Sequence, residues 1–232
     1  CELVTLVGST GSQTVIDIRP GPESSELQQL TRIGDEVWFL ANDGTHGFEI
    51  WRTRGDAAST SLLIDFAPGA AGSNISHLLA YGDRACFVVN DGSTVDLWIT
   101  DGTSAGTQLL ANVFNVASPL LSVASLEIDG ELVTTISSWL GNPLPPVAVF
   151  KTSGTAASTT RHTLPIQAHP SDLAELGGKL IFNQAFAGFG NTTNRIQSFD
   201  PQTGITTMLH QSTVTALSTG RSMGGRYFFL GE

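Results

Sequence analysis

The stretch Asp96-Leu97-Trp98-Ile99-Thr100-Asp101-Gly102-Thr103-Ser104-Ala105-Gly106-Thr107-Gln108-Leu109-Leu110 decides how the rest of the chain is read. Asp96 to Thr100 is a short run rich in aliphatic, aromatic and β-branched residues, stopped by Asp101-Gly102, a pair suited to a tight turn. A second such run starts at Thr107. Working outward, Asn74 to Tyr81 reads as a first strand, Gly82-Asp83 as its turn and Arg84 to Val89 as a second strand. Asn90-Asp91-Gly92-Ser93 is a loop with strong turn chemistry leading into the third strand, Asp96 to Thr100, and Thr107 to Val113 is the fourth.

Degraded copies of this unit fill the chain. Ile33-Gly34-Asp35-Glu36-Val37-Trp38-Phe39, Tyr81-Gly82-Asp83-Arg84-Ala85-Cys86-Phe87, Ile128-Asp129-Gly130-Glu131-Leu132-Val133, Leu176-Gly177-Gly178-Lys179-Leu180-Ile181-Phe182 and Met223-Gly224-Gly225-Arg226-Tyr227-Phe228-Phe229 share one pattern. Each is an apolar residue, a two-residue Gly/Asp turn, a polar residue and an apolar strand. Their starts lie 48, 47, 48 and 47 residues apart. The later hairpin recurs at Glu49-Ile50-Trp51-Arg52-Thr53-Arg54-Gly55-Asp56, at Val149-Phe150-Lys151-Thr152-Ser153-Gly154-Thr155 and at Ser198-Phe199-Asp200-Pro201-Gln202-Thr203-Gly204. Four short antiparallel strands at such a period are the pattern of a β-propeller blade, and no useful length shows helical periodicity. The fold class predicted is all-β, a five-bladed β-propeller of four-stranded antiparallel blades, one domain over residues 1–232.

The fifth copy stops after its second strand, and the missing half is at the other end. Glu2 to Gly8 and Ser12 to Ile18 match third and fourth strands, with Val15-Ile16-Asp17-Ile18-Arg19-Pro20-Gly21 parallel to Leu63-Ile64-Asp65-Phe66-Ala67-Pro68-Gly69. Residues 2–18 are therefore expected to pair with residues 211–232 and close the ring. A lone half-blade would expose an apolar face and a row of unpaired backbone groups.

Composition narrows the function classes. Hydrophobic residues make up 41% of 232, enough for a folded core, while charged residues are only 14%. A net charge of −10 argues against nucleic acid or an anionic membrane surface as partner. No apolar run approaches the roughly 18 residues of a membrane span. Cys86 lies in the apolar strand Ala85-Cys86-Phe87-Val88-Val89 and reads as a buried structural thiol. Cys1 resembles the lipid-bearing residue of a processed bacterial lipoprotein, but strand-like sequence from Glu2 leaves no tether, which favours a disulfide or a boundary of the excised chain.

The hairpin Asp96 to Thr107 closely resembles the ELWxxDGT repeat of secreted and surface-attached bacterial proteins. Asp65-Phe66-Ala67-Pro68-Gly69 resembles that family's aspartate-x-x-proline-glycine stretch, and Ala41-Asn42-Asp43-Gly44-Thr45-His46-Gly47-Phe48-Glu49-Ile50-Trp51 its loop into the motif. The likeness is concentrated in residues 16 to 113; later copies keep only the framework. It implies a propeller-like fold and an extracellular or cell-surface setting, and brings no catalytic residues with it.

Candidate sites follow from the repeat positions. Trp51 and Trp98 are equivalent, and packing between blades is favoured over a ligand platform. A calcium role for the Asp101-Gly102-Thr103 turn is unsupported, since its counterparts read Arg54-Gly55-Asp56 and Ser153-Gly154-Thr155; neither metal nor cofactor is predicted. Asn42, Asp43, Asn90 and Asp91 sit in two repeated Asn-Asp-Gly loops where small pockets for sugar hydroxyls or an ion are the alternative to plain turn chemistry. The corresponding loops of repeats three and four, residues 136–147 and 184–195, are longer and aromatic, and Trp139, Asn142, Phe186, Phe189, Asn191 and Asn194 are the predicted ligand-binding residues. Asn74-Ile75-Ser76 and Asn191-Thr192-Thr193 match glycan-acceptor patterns.

Glu26, Glu127, Asp172 and Glu175 come from inner strands but form no acid–base pair as glycosidases need, and His46, His77, His162, His169 and His210 share no repeat position. The function expected is a secreted or cell-surface module binding a glycan or an extracellular protein. Two rivals stand beside it: a structural subunit self-associating by strand exchange, and a glycoside hydrolase with a central-funnel site.

Overall fold

The structure, a computed structural model, describes residues 2–7, 11–114, 121–138, 147–164, 171–187, 192–212, 221–223 and 225–228. The chain forms two compact units, residues 1–117 and 118–232. In the first unit, β1 (Leu3–Val7) and β2 (Ser12–Ile16) form a two-stranded sheet. β3 (Gln28–Ile33), β4 (Glu36–Asn42), β5 (Phe48–Thr53) and β6 (Ser61–Ile64) form a four-stranded sheet, as do β7 (Ile75–Tyr81), β8 (Arg84–Asn90), β9 (Val95–Thr100) and β10 (Gln108–Phe114). In the second unit, β11 (Leu121–Ile128), β12 (Glu131–Ser138), β13 (Val147–Thr152) and β14 (Thr160–Leu164) form one sheet. β15 (Ser171–Leu176), β16 (Lys179–Ala187), β17 (Thr192–Phe199) and β18 (Thr206–Ser212) form the next, and β19 (Arg221–Met223) and β20 (Arg226–Phe228) a last pair. Every sheet is antiparallel with its strands in chain order.

The five Gly/Asp turns read from the sequence each join the first and second strands of a sheet. Both central residues have positive φ at Asp129-Gly130, 51° and 77°, and at Gly177-Gly178, 60° and 75°. That conformation matches the twist of the strands it joins. First strands of successive sheets lie side by side within each unit: β3 by β7, β11 by β15, β15 by β19.

Cores form between successive sheets. Ile50 and Ile64 of one sheet pack with Leu78, Ala85 and Phe87 of the next; Val149 and Leu164 pack likewise with Leu180, Phe182 and Phe199. Phe39, Phe87 and Phe182 hold the same position in their second strands and are fully buried, each contributing about 2–3 kcal/mol. The third copy has Thr134 there, its buried hydroxyl unpartnered among the described residues.

Two expectations need correction. The stretch 184–195 is not one long loop: β16 extends into it to Ala187 and β17 from Thr192, pairing Gln184 with Arg195, Ala185 with Asn194, Phe186 with Thr193 and Ala187 with Thr192. Phe and Thr suit a strand, and the ladder simply continues its register. Residues 211 and 212 finish β18, so the C-terminal half-sheet starts at Arg221.

Among the described residues β1 pairs with β2 and β19 with β20, and no ladder joins residues 2–18 to residues 211–232. Leu3 and Ile16 of the N-terminal pair pack on Phe39, Ala41 and Trp51. Its opposite face leaves Val4, Leu6 and Val15 exposed at 52%, 67% and 63%.

Candidate functional site

The motif residues first explain themselves as scaffold. In three sheets the third strand ends on a buried threonine, Thr53, Thr100 or Thr152. Each accepts a hydrogen bond at 2.9 Å from the amide two residues on, at Gly55, Gly102 and Gly154. Each also meets the hydroxyl of a second threonine, at 2.6 Å for Thr60, 2.7 Å for Thr107 and 2.8 Å for Thr159. Those second hydroxyls donate at 2.7 Å to the carbonyls of Asp56, Thr103 and Thr155. The Asp-Gly-Thr turn is thus a clasp between third and fourth strands. Asp101 supports it by accepting from the Thr103 amide and hydroxyl, so its oxygens serve the turn.

The acidic residue that opens the motif fastens the loop after the fourth strand. Glu49 is buried and accepts from the amides of Phe66 and Ala67, at 2.9 and 3.2 Å, and from the Ser73 hydroxyl at 3.1 Å. Burial raises its pKa against those hydrogen bonds. Glu2 repeats the arrangement with Ile18 and Ser25; burial pushes its pKa up, but the hydrogen bonds outweigh it and the value falls below the ordinary one.

Asp96, one methylene shorter, is bound by neighbours in its own sheet. It accepts from the Asn112 side chain at 2.7 Å, directly across on β10, and from the Thr94 hydroxyl at 3.1 Å. The spacing of these acids was visible in the sequence; their role as loop clasps was not.

The Asn-Asp-Gly loops use their own polar groups. Asn42 and Asn90 accept from the amides of Gly44 and Gly92. Asp43 accepts from the Thr45 and His46 amides at 2.8 Å and from His46 Nδ1 at 2.7 Å. Burial raises the Asp43 pKa, but these bonds bring it below normal, and the carboxylate raises that of His46. Asp91 accepts from Ser93 and Thr94 and is held ionised below the usual range.

The structure brings some of these residues together with groups the sequence reading assigned to packing. A cavity of about 260 Å³ is walled by Phe66 and Trp98, with Asp91, Asp96, Ser73 and Asn74 at its polar side. Trp98 meets Phe66 edge-on, ring centres 4.9 Å apart at 83°, and stacks on Phe87 at 6.4 Å. It therefore packs between sheets, as expected, and presents the remainder of its surface to the cavity. A second cavity of about 280 Å³ shares Ser73 and Asn74 and reaches Asn90, Gln28 and Phe48. Trp51, the counterpart of Trp98, packs with Leu3, Ile16 and Ile18.

Of the predicted binding residues, Asp91 and Asn90 line these cavities, whereas Asn42 and Asp43 serve their turn. Phe186 and Asn194 lie on β16 and β17, and Trp139, Asn142, Phe189 and Asn191 lie outside the described residues. Glu26 and Glu127 are exposed, as is Glu175, which accepts from the Gly178 amide of its own hairpin. Among the described residues no group of His, Cys, Asp and Glu could hold a metal ion.

No protein-family model matches the chain, and no curated protein matches it in sequence. Solved structures do. The β-propeller domain of the Trilobed protease from Pyrococcus furiosus, described as having an open velcro topology, is 11% identical with a TM-score of 0.50 over 97% of this chain and 67% of that one. The Dos1 propeller is 13% identical, with a TM-score of 0.50 over 95% of this chain and 54% of that one. A puromycin-hydrolyzing peptidase of Mycobacterium tuberculosis is 16% identical, with a TM-score of 0.53 over 95% of this chain and 36% of that one. Likeness at such identity establishes the β-propeller fold alone.

Proposed function

We propose that this chain is an extracellular binding module of the ELWxxDGT kind that holds a partner protein through the face bearing the Asn42–Gly44 and Asn90–Gly92 loops. The observation that carries the reading is the cavity at Trp98: two aromatic walls, two carboxylates, a hydroxyl and an amide around a space of about 260 Å³. That space suits one projecting side chain or one sugar ring better than a drug-sized ligand. A net charge of −10 supports a protein partner with a basic surface over a neutral glycan, because it steers association and repels anions. The threonine clasp and Asp101 hold this face in place, while Asp96 and Trp98 of the same motif line the cavity.

The test is an array carrying extracellular peptides and glycans, probed with the native chain and with Asn74→Trp, which lays an indole across both cavity mouths. Peptide binding that is lost in the variant supports the reading. Binding only to glycans, or binding that ignores the variant, overturns it.

The same reading includes a closed five-bladed ring forming one domain, with β19–β20 completing β1–β2. The exposed Val4, Leu6 and Val15 support it, since closure would cover them. The same face also favours the rival in which a second copy supplies the strands; a native mass above one chain at micromolar concentration would indicate that form.

A further inference from the structure

We infer that the Trp98 cavity takes a guanidinium or ammonium group, presented by a basic side chain of the partner; this rests on the cavity being the binding site. A guanidinium already lies beside the matching loop of the preceding copy. One repeat earlier, Arg19 stands where Ala67 stands, Gly44 where Gly92 stands, Asp43 where Asp91 stands, and Trp51 where Trp98 stands, each offset by 47 or 48 residues. There the Arg19 side chain, only 23% exposed, lies across the loop glycine, its Nε 3.1 Å from where a Cβ on Gly44 would sit. Gly92 has the same backbone conformation, φ 85° against 82°, and among the described residues nothing lies within 4 Å of its Cβ position.

The guanidinium in the first copy is held by Glu23, and the residue in Glu23's place one repeat later is Ala71. Two alanines thus stand where the earlier copy has an Arg–Glu pair beside its loop. What remains favours a cation. Trp98 and Phe66 supply aromatic surface, Asp91 and Asp96 supply negative charge, and no Lys, Arg or His lines the cavity among the described residues. An anion would meet two carboxylates with no compensating charge.

Titration calorimetry with arginine methyl ester, methylguanidine and methylammonium, with glucose as neutral control, tests this. The wild-type chain is expected to bind the cationic probes at one site, more weakly as salt is raised, and to ignore glucose. Ala67→Arg with Ala71→Glu rebuilds the intramolecular pair and is expected to weaken probe binding at least about tenfold, by analogy with losing one charge-assisted contact. Asp91→Asn with Asp96→Asn removes both charges at nearly unchanged side-chain size and is expected to abolish the salt-dependent binding of the cations, which keeps the test decisive should the first variant fold poorly.

Wild-type chain that binds none of the cations, or binding unmoved by the first variant in its folded form, overturns the inference. So does cation binding that the Asp91→Asn, Asp96→Asn variant keeps at wild-type affinity. A neutral array ligand that binds the wild type and is lost in Asn74→Trp would leave the cavity standing as a site while ending its assignment to a cation.

Discussion

Thr100→Val isolates the clasp that the repeat encodes. The substitution keeps side-chain shape and removes one hydroxyl at a fully buried position. Thr107 already gives its proton to the Thr103 carbonyl at 2.7 Å, so the Thr100 hydroxyl is the donor in the 2.7 Å contact between the two. It also accepts from Gly102 at 2.9 Å. The variant loses both bonds and strands the Gly102 amide, a cost of about 2–3 kcal/mol. For a chain of this size that lowers the melting temperature by about 4–12 °C.

Scanning calorimetry reads the shift, and a double-mutant cycle with Thr107→Val reads the coupling, expected near 1 kcal/mol. Thr53→Val and Thr152→Val should cost similar amounts, because their distances agree within 0.1 Å of the Thr100 pair. A melting temperature within about 1 °C of wild type, or strict additivity in the cycle, would refute the claim that the motif is a hydrogen-bonded clasp.

Other positions give independent checks. Glu49→Ala should destabilise by about 2–4 kcal/mol in urea titration, since it leaves two amides and a hydroxyl without their acceptor. Glu49 holds its proton to higher pH in the fold than in the unfolded chain. Its contribution is therefore complete below the ordinary value of 4.5 and declines as pH rises through the folded value, and Glu49→Gln should flatten that part of the stability profile. By NMR titration His46 should lose its proton above the ordinary 6.5 and return toward it in Asp43→Asn. Gly47→Ala should cost about 2–4 kcal/mol, because a Cβ there would lie 2.3 Å from the Gly72 nitrogen at a φ of 74°; chemical denaturation would show it.

The hairpins were legible because each needs only local information: a Gly/Asp turn, a polar residue and an apolar run. Repetition then placed Trp51 and Trp98 in equivalent positions and made packing between sheets the natural reading for both. The structure separates them. Trp51 sits among Ile16, Ile18 and Leu3, while Trp98 keeps a surface facing a cavity.

That difference has no local signature. It follows from what stands beside each indole, Ile18 at Trp51 and Phe66 at Trp98, and becomes visible only when neighbouring copies are compared. The 184–195 stretch misled for the opposite reason. Gly, Asn and aromatic residues resemble loop composition, yet the register of β16 with β17 continues as far as Ala187 and Thr192. How an acid is used also depends on its surroundings: Glu2, Glu49 and Asp96 hold one position with different partners, and burial raises the pKa of Glu49 while at Glu2 burial is outweighed by hydrogen bonds that lower it.

The central structural claim is that the first and last strands are halves of one repeat unit. Amide hydrogen exchange on the monomeric fraction tests it most directly, at the alternate amides of Leu3–Val7 that point away from β2. Ring closure predicts slow exchange at those amides, lost when residues 221–232 are deleted. Exchange at the rate of a free chain in the full-length monomer would contradict it.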